Sequence, residues 1–74
     1  MRIRILSVHG DTVLTVSRLE EARQAGQQLA GQVVVVTSPP ERRGEVIDLS
    51  HISPEEWEML AEAEAVAIRP VQGG

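Results

Sequence analysis

Seventy-four residues make one small domain and exclude a multidomain enzyme or a chain that carries its own cofactor-binding half. Without cysteine there is no disulfide, thiol nucleophile or zinc knuckle, and with Trp57 as the only aromatic ring the base-stacking platforms of single-strand nucleic-acid binders are excluded. The net charge of −4 is uneven, with four arginines against three carboxylates in residues 1–37 and three against eight in 38–74, so a basic protein partner is expected and DNA or RNA is not.

Arg2 to Val8 alternates at its start, Ile3 and Ile5 on one face and Arg2 and Arg4 on the other, and reads as a strand. No run here approaches a membrane span, and Met1-Arg2-Ile3-Arg4-Ile5-Leu6 is too short and too alternating for a signal-peptide core, so a cytoplasmic chain without a membrane partner is the expectation. His9-Gly10-Asp11 supplies turn chemistry, and Thr12 to Val16 is a second β-prone run that should close a hairpin. Ser17 followed by Glu20 predicts a capping box, after which Leu19, Ala22, Ala25, Gly26, Leu29 and Ala30 recur at helical spacing until Gly31 offers a left-handed cap. The small residues at 22, 25, 26 and 30 imply that this helix closely approaches its neighbour, at some cost in helix propensity at Gly26.

Val33 to Val36 is a continuous apolar run, the pattern of a central strand covered on both sides or packed at an interface, and is expected in the middle of the fold. Thr37 to Gly44, with Pro39 and Pro40, cannot continue a ladder and is expected to project as a loop; Glu45 to Leu49 has the composition of a short strand. Ser53-Pro54-Glu55-Glu56 starts a second helix with a cap and proline at the first helical position, and Ile52 and Trp57 are spaced for a hydrophobic staple. Trp57, Leu60 and Ala61 form its buried side, and Glu55, Glu58 and Glu62 its outer stripe. Ala65 to Val71 closes the chain as a last strand, with a flexible tail at 72–74. The order strand, strand, helix, strand, strand, helix, strand makes a single α+β domain over 1–74, a small sheet with helices on one face.

Few polar groups converge for chemistry. Asp48, Ser50 and His51 are a triad written in a row, but sequence neighbours do not normally aim their side chains at one another as a proton relay requires, and a strand end entering a helix cap accounts for them. His9 and Asp11 with His51 could ligate a metal, or His9 and Asp11 simply make a hairpin turn; no metal site and no cofactor is assigned. Arg42 and Arg43 after the two prolines form a basic tip that could grip a phosphate or a partner carboxylate, or be a solvated loop end. The stripe of Glu55, Glu58 and Glu62 lacks basic i+4 partners and reads either as a docking face for a basic partner or as a solvated helix face.

Gly73-Gly74 is the most informative feature. Two glycines after a strand make a thin tail that could thread a narrow channel and present the Gly74 carboxylate to another enzyme's nucleotide site. The ending Ala65-Val66-Ala67-Ile68-Arg69-Pro70-Val71-Gln72-Gly73-Gly74, the element order and Ile52-Ser53-Pro54-Glu55-Glu56-Trp57 together resemble the ubiquitin-like sulfur carrier proteins of thiamin and molybdopterin synthesis. The chain departs from them where Ala63-Glu64-Ala65 replaces their polar turn and where its middle is longer.

The resemblance implies a β-grasp fold, ββαββαβ, and a carrier that is not itself an enzyme. Gly74 would be adenylated by a partner activating enzyme, converted to a thiocarboxylate and used to deliver sulfur, or conjugated as ubiquitin is. The competing reading is a non-catalytic interaction domain, a homo-oligomer subunit or an inhibitor, that presents its acidic helix face to a basic target.

Overall fold

A computed structural model of the protein describes residues 1–70. Alternation in β1 (Arg2–Ile5) turns Ile3 fully inward and leaves Arg2 and Arg4 in solvent. The strand stops short of Val8 because Ser7 begins the turn: its hydroxyl accepts the His9 amide at 3.2 Å and its carbonyl accepts the Gly10 amide at 3.1 Å. Gly10, at φ +119°, completes the turn in a region that other residues rarely occupy, and β2 (Thr12–Thr15) returns antiparallel to β1 as expected.

Helix α1 (Leu19–Gln28) starts one residue later than the capping-box reading requires. Its N-cap is Arg18, which makes no side-chain cap, and Glu21 at the third helical position accepts the Ser17 amide at 2.9 Å. The Ser17–Glu20 box is therefore replaced by its carboxylate half alone, shifted by one residue. Ala22, Ala25 and Leu29 are buried, whereas Ala30 lies in solvent beyond the helix end.

The valine run forms most of β3 (Val33–Ser38), but it is not the middle of the sheet. The strand order is β2-β1-β5-β3-β4, with β4 (Val46–Ile47) at one edge and β5 (Glu64–Ile68) at the centre. β5 runs parallel to β1 and antiparallel to β3. Only one face of the valine run is covered: Val34 and Val36 are buried among the helices, and Val33 and Val35 are half-buried on the other face. The central strand is alanine-rich because its inward residues, Ala65 and Ala67, lie under the helix layer, where small side chains allow close approach.

The proline segment closes on itself as a tight loop, and Thr37 and Ser38, expected to lie within it, belong to β3. The Gly44 amide donates to the Val36 carbonyl at 2.8 Å and the Val36 amide to the Glu45 carbonyl at 2.9 Å, which closes residues 37–45 around a 3₁₀ turn at Pro40–Arg42. The predicted strand from Glu45 to Leu49 shrinks to two residues, because a second 3₁₀ turn, Leu49–His51, takes over its end.

Helix α2 (Pro54–Leu60) begins as its sequence predicts, with the Ser53 hydroxyl accepting the Glu56 amide at 3.2 Å and proline in the first turn. Ile52 is buried and Trp57 is half-buried against the same core. Both helices lie on one face of the sheet, sharing a core with Ile3, Val34, Val36, Ala65 and Ala67, and the product is the expected small α+β, β-grasp-like mixed sheet.

Candidate functional site

Strand β5 is hydrogen-bonded along both sides and ends with Ile68 opposite Val33; exposed Arg69 and Pro70 follow. Because β5 is parallel to β1, it leaves the sheet at the end where β1 enters its turn and β3 begins. Gly73 and Gly74 lie outside the described residues, as does the end of the strand predicted to reach Val71.

Of the acidic stripe, Glu55 and Glu58 stand exposed on α2, and neither makes an ion pair among the described residues. Glu62 does not belong to the helix: α2 ends at Leu60, and Glu62 lies in the turn that leads to β5. Its charge acts on the Met1 ammonium, which donates to the Val16 carbonyl at 2.8 Å and to the Ala61 carbonyl at 2.5 Å. Burial, reinforced by Arg2, lowers the pKa of that amine, and Glu62 opposes the shift.

The basic tip is likewise divided. Arg42 Nε and Nη2 donate to the two oxygens of the Glu45 carboxylate, each at 2.9 Å, and this pairing first of all holds the Glu45 carboxyl below its ordinary value. Arg42 is a clasp inside the loop. Arg43 remains exposed and makes no ion pair among the described residues.

Asp48, Ser50 and His51 do meet, contrary to the expectation for sequence neighbours, because the 3₁₀ turn curls their side chains to one side. The Ser50 hydroxyl donates to Asp48 Oδ1 at 2.7 Å, the Ser50 amide to the same oxygen at 3.2 Å, and His51 Nδ1 lies 2.8 Å from Asp48 Oδ2. Hydrogen bonds from Ser50 and then His51 hold the Asp48 carboxyl below its ordinary value.

The arrangement is nevertheless not a relay. A relay needs the carboxylate on one imidazole nitrogen and the hydroxyl on the other, whereas here Ser50 Oγ also lies beside Nδ1, at 3.1 Å. With its proton directed at Asp48, Ser50 is not an activated nucleophile; Asp48 is the N-terminal cap of the turn and accepts the Ser50 amide. His9 and Asp11 sit beside edge strand β2, and His51 follows β4 at the opposite edge, so the three do not assemble; among the described residues no three histidine, aspartate or glutamate side chains are placed to hold a metal ion.

The sheet face opposite the helices is open. Register places Val13, Arg4, Val66, Val35 and Val46 in one row across all five strands. A concavity on this face is lined by Arg2, Arg4, Val13, Thr37, Glu64 and Val66. The signal was the Arg-Ile alternation of β1, which marks one exposed face; that four other strands would align valines with Arg4 depends on pairing that local sequence does not encode. No family model, no curated protein and no solved structure matches this chain.

Proposed function

We propose that the protein is a ubiquitin-like carrier whose Gly74 carboxylate is activated by a partner enzyme. The observation that carries this reading is the position of β5: the most firmly held strand of the sheet leads, within six residues of its end, to Gly73-Gly74. A carrier needs a rigid body that a partner can grip and a narrow terminus that reaches the partner's active site, and a central strand continuing into glycines meets both needs.

In the reaction the Gly74 carboxylate attacks the α-phosphate of ATP, pyrophosphate leaves and an acyl adenylate remains. Hydrosulfide, or a sulfur nucleophile delivering its equivalent, then attacks the carbonyl carbon, the bond to AMP breaks and a thiocarboxylate forms; an amine in that place would give a conjugate. The chain supplies its terminus, and the partner supplies the nucleotide site.

ATP–pyrophosphate exchange tests the first step. A cognate activating enzyme should exchange label only with the chain ending at Gly74 present, and a chain lacking Gly73 and Gly74 should support none; exchange unaffected by that deletion would remove the carrier reading.

A second reading, an interaction domain with a basic partner, is favoured by Glu55 and Glu58 on α2, which are exposed and make no ion pair among the described residues. It expects Glu55→Arg, Glu58→Arg and Glu62→Arg together to abolish partner binding with the fold intact, because each exposed change is worth within about 0.5 kcal/mol in stability. Binding that survives the triple reversal would exclude the acidic face as the contact.

A further inference from the structure

The two edges of the sheet are protected unequally. At one edge β4 offers only two residues before the turn at Leu49–His51 takes over, too short a strand for another chain to pair with. At the other, Thr12-Val13-Leu14-Thr15 pairs with β1 in unbroken register and carries no charge, no proline and no bulge, the devices that ordinarily keep an edge from pairing. Thr12, Val13 and Thr15 are exposed, Val13 by 55%.

Hydrogen-bond parity identifies the groups left free at this edge. Met1 and Val16 exchange both backbone bonds, each at 2.8 Å, so by the alternation of an antiparallel ladder Leu14 and Thr12 also turn their amides and carbonyls towards β1. Val13 and Thr15 turn theirs outward, where no other strand lies among the described residues. The ladder therefore runs from Thr12 to Val16, and its midpoint is Leu14, which is half-buried. Ser17 would be the next outward donor, but its amide already donates to Glu21 at 2.9 Å and closes that end.

We propose that the β2 edge pairs with the β2 edge of a second copy of this chain, antiparallel about a two-fold axis at Leu14, so that the two sheets join as one. In that register Val13 lies opposite Thr15 of the second copy, and these are the residues whose backbone groups point outward, so each such pair exchanges both of its bonds. Leu14 meets its own counterpart at the non-hydrogen-bonded centre, where opposed side chains stand closest, and its exposed part gains cover. An extended peptide of another protein would serve the same bonds, but the ends of the strand favour a second copy. The register sets Asp11 of each copy one residue from Arg18 of the other; both are exposed and make no ion pair among the described residues, so each end brings a free carboxylate to a free guanidinium. An edge of this length buries less than a stable interface needs, so the dimer is weak, with a dissociation constant on the order of 0.1–1 mM. Because β1 lies between β2 and β5, the pairing does not depend on whether Gly74 is activated.

Analytical ultracentrifugation and amide NMR of the full chain, from about 0.02 to 2 mM, test the pairing. The expected result is a mass that rises from monomer towards dimer, with concentration-dependent shifts of the Val13 and Thr15 amides about twofold or more larger than those of Thr12 and Leu14, whose amides are already bonded to β1. V13P, which removes an outward donor and spares the bonds to β1, should abolish the rise. D11R and R18D should each weaken association about threefold or more, and the two together should restore it, a result that does not require V13P to fold. A monomer mass at the highest concentration, shifts confined to α1, α2 or the open sheet face, association unchanged in V13P, or a double reversal weaker than either single one would overturn the proposal. A chain that stays monomeric yet shifts at Val13 and Thr15 on addition of an alternating threonine-valine hexapeptide would overturn it in favour of strand addition from another protein.

Discussion

Gly26 is the position where helix propensity and packing oppose each other most directly. Alanine would favour α1 by about 1 kcal/mol. A Cβ at this site, however, would stand 2.3 Å from the Ser50 amide nitrogen and 2.8 Å from the Leu49 carbonyl carbon, backbone atoms of the 3₁₀ turn that cannot rotate away. G26A is therefore expected to lose about 1–3 kcal/mol in a urea titration in spite of its better propensity; a stabilised variant would mean that the helix does not approach the turn closely. The small-residue pattern announced this approach, but not that its partner is a turn and not the sheet. Ser53 was legible because a cap is a local device, whereas at Ser17 the same signature was displaced by one residue, a shift that only the tertiary entry of α1 decides.

Acid stability belongs to this scale as well. Asp48 and Glu45 titrate below their ordinary values of 3.8 and 4.5 in the folded chain. The unfolded chain then binds protons first as pH falls, so the stabilisation these groups provide is complete above the ordinary values and is lost through the lowered ones. Melting temperature should fall on acidification below about pH 5, and D48N should reduce the steepness of that fall; an unchanged profile in D48N would show that the Ser50 and His51 bonds do not contribute in solution.

At the scale of elements, the instructive residues are those of β3 and β5. Four consecutive valines carry the stronger strand signal, and Glu64-Ala65-Val66-Ala67-Ile68 carries a weaker one because alanine is a poor strand former. Centrality is decided by pairing and not by propensity: β5 fills the gap between β1 and β3 and buries Ala65 and Ala67 beneath the helices. Hydrogen exchange should accordingly find the Ala65, Val66 and Ala67 amides among the most protected and Val46 and Ile47 among the least protected strand positions. Protection greatest in β2 or β4 would contradict the strand order. Leu60, fully buried at the end of α2, should cost about 2–5 kcal/mol when changed to alanine, measured by chemical denaturation. Element order and helix faces could be read from the sequence because they depend on local periodicity. The tight proline loop and the two-residue β4 could not, because the bonds between residues 36 and 44–45 are set by the turn between them.

For the molecule as a whole, the layers separate charge: carboxylates dominate the helix side, and Arg2 and Arg4 stand on the open sheet. The sequence displayed its charge asymmetry by halves of the chain, but the sheet interleaves those halves, joining β1 to β5, so the asymmetry that a partner meets is between faces. The terminal glycines give the carrier reading its chemistry, and the central strand gives it a scaffold. Intact mass spectrometry tests that claim most directly. After incubation of the chain ending at Gly74 with a cognate activating enzyme, ATP and a sulfur donor, the account predicts a gain of about 16 Da, confined to the C-terminal peptide, as one oxygen is replaced by sulfur. An unchanged mass with an enzyme shown to be active on its own carrier, or a gain placed elsewhere in the chain, would contradict it.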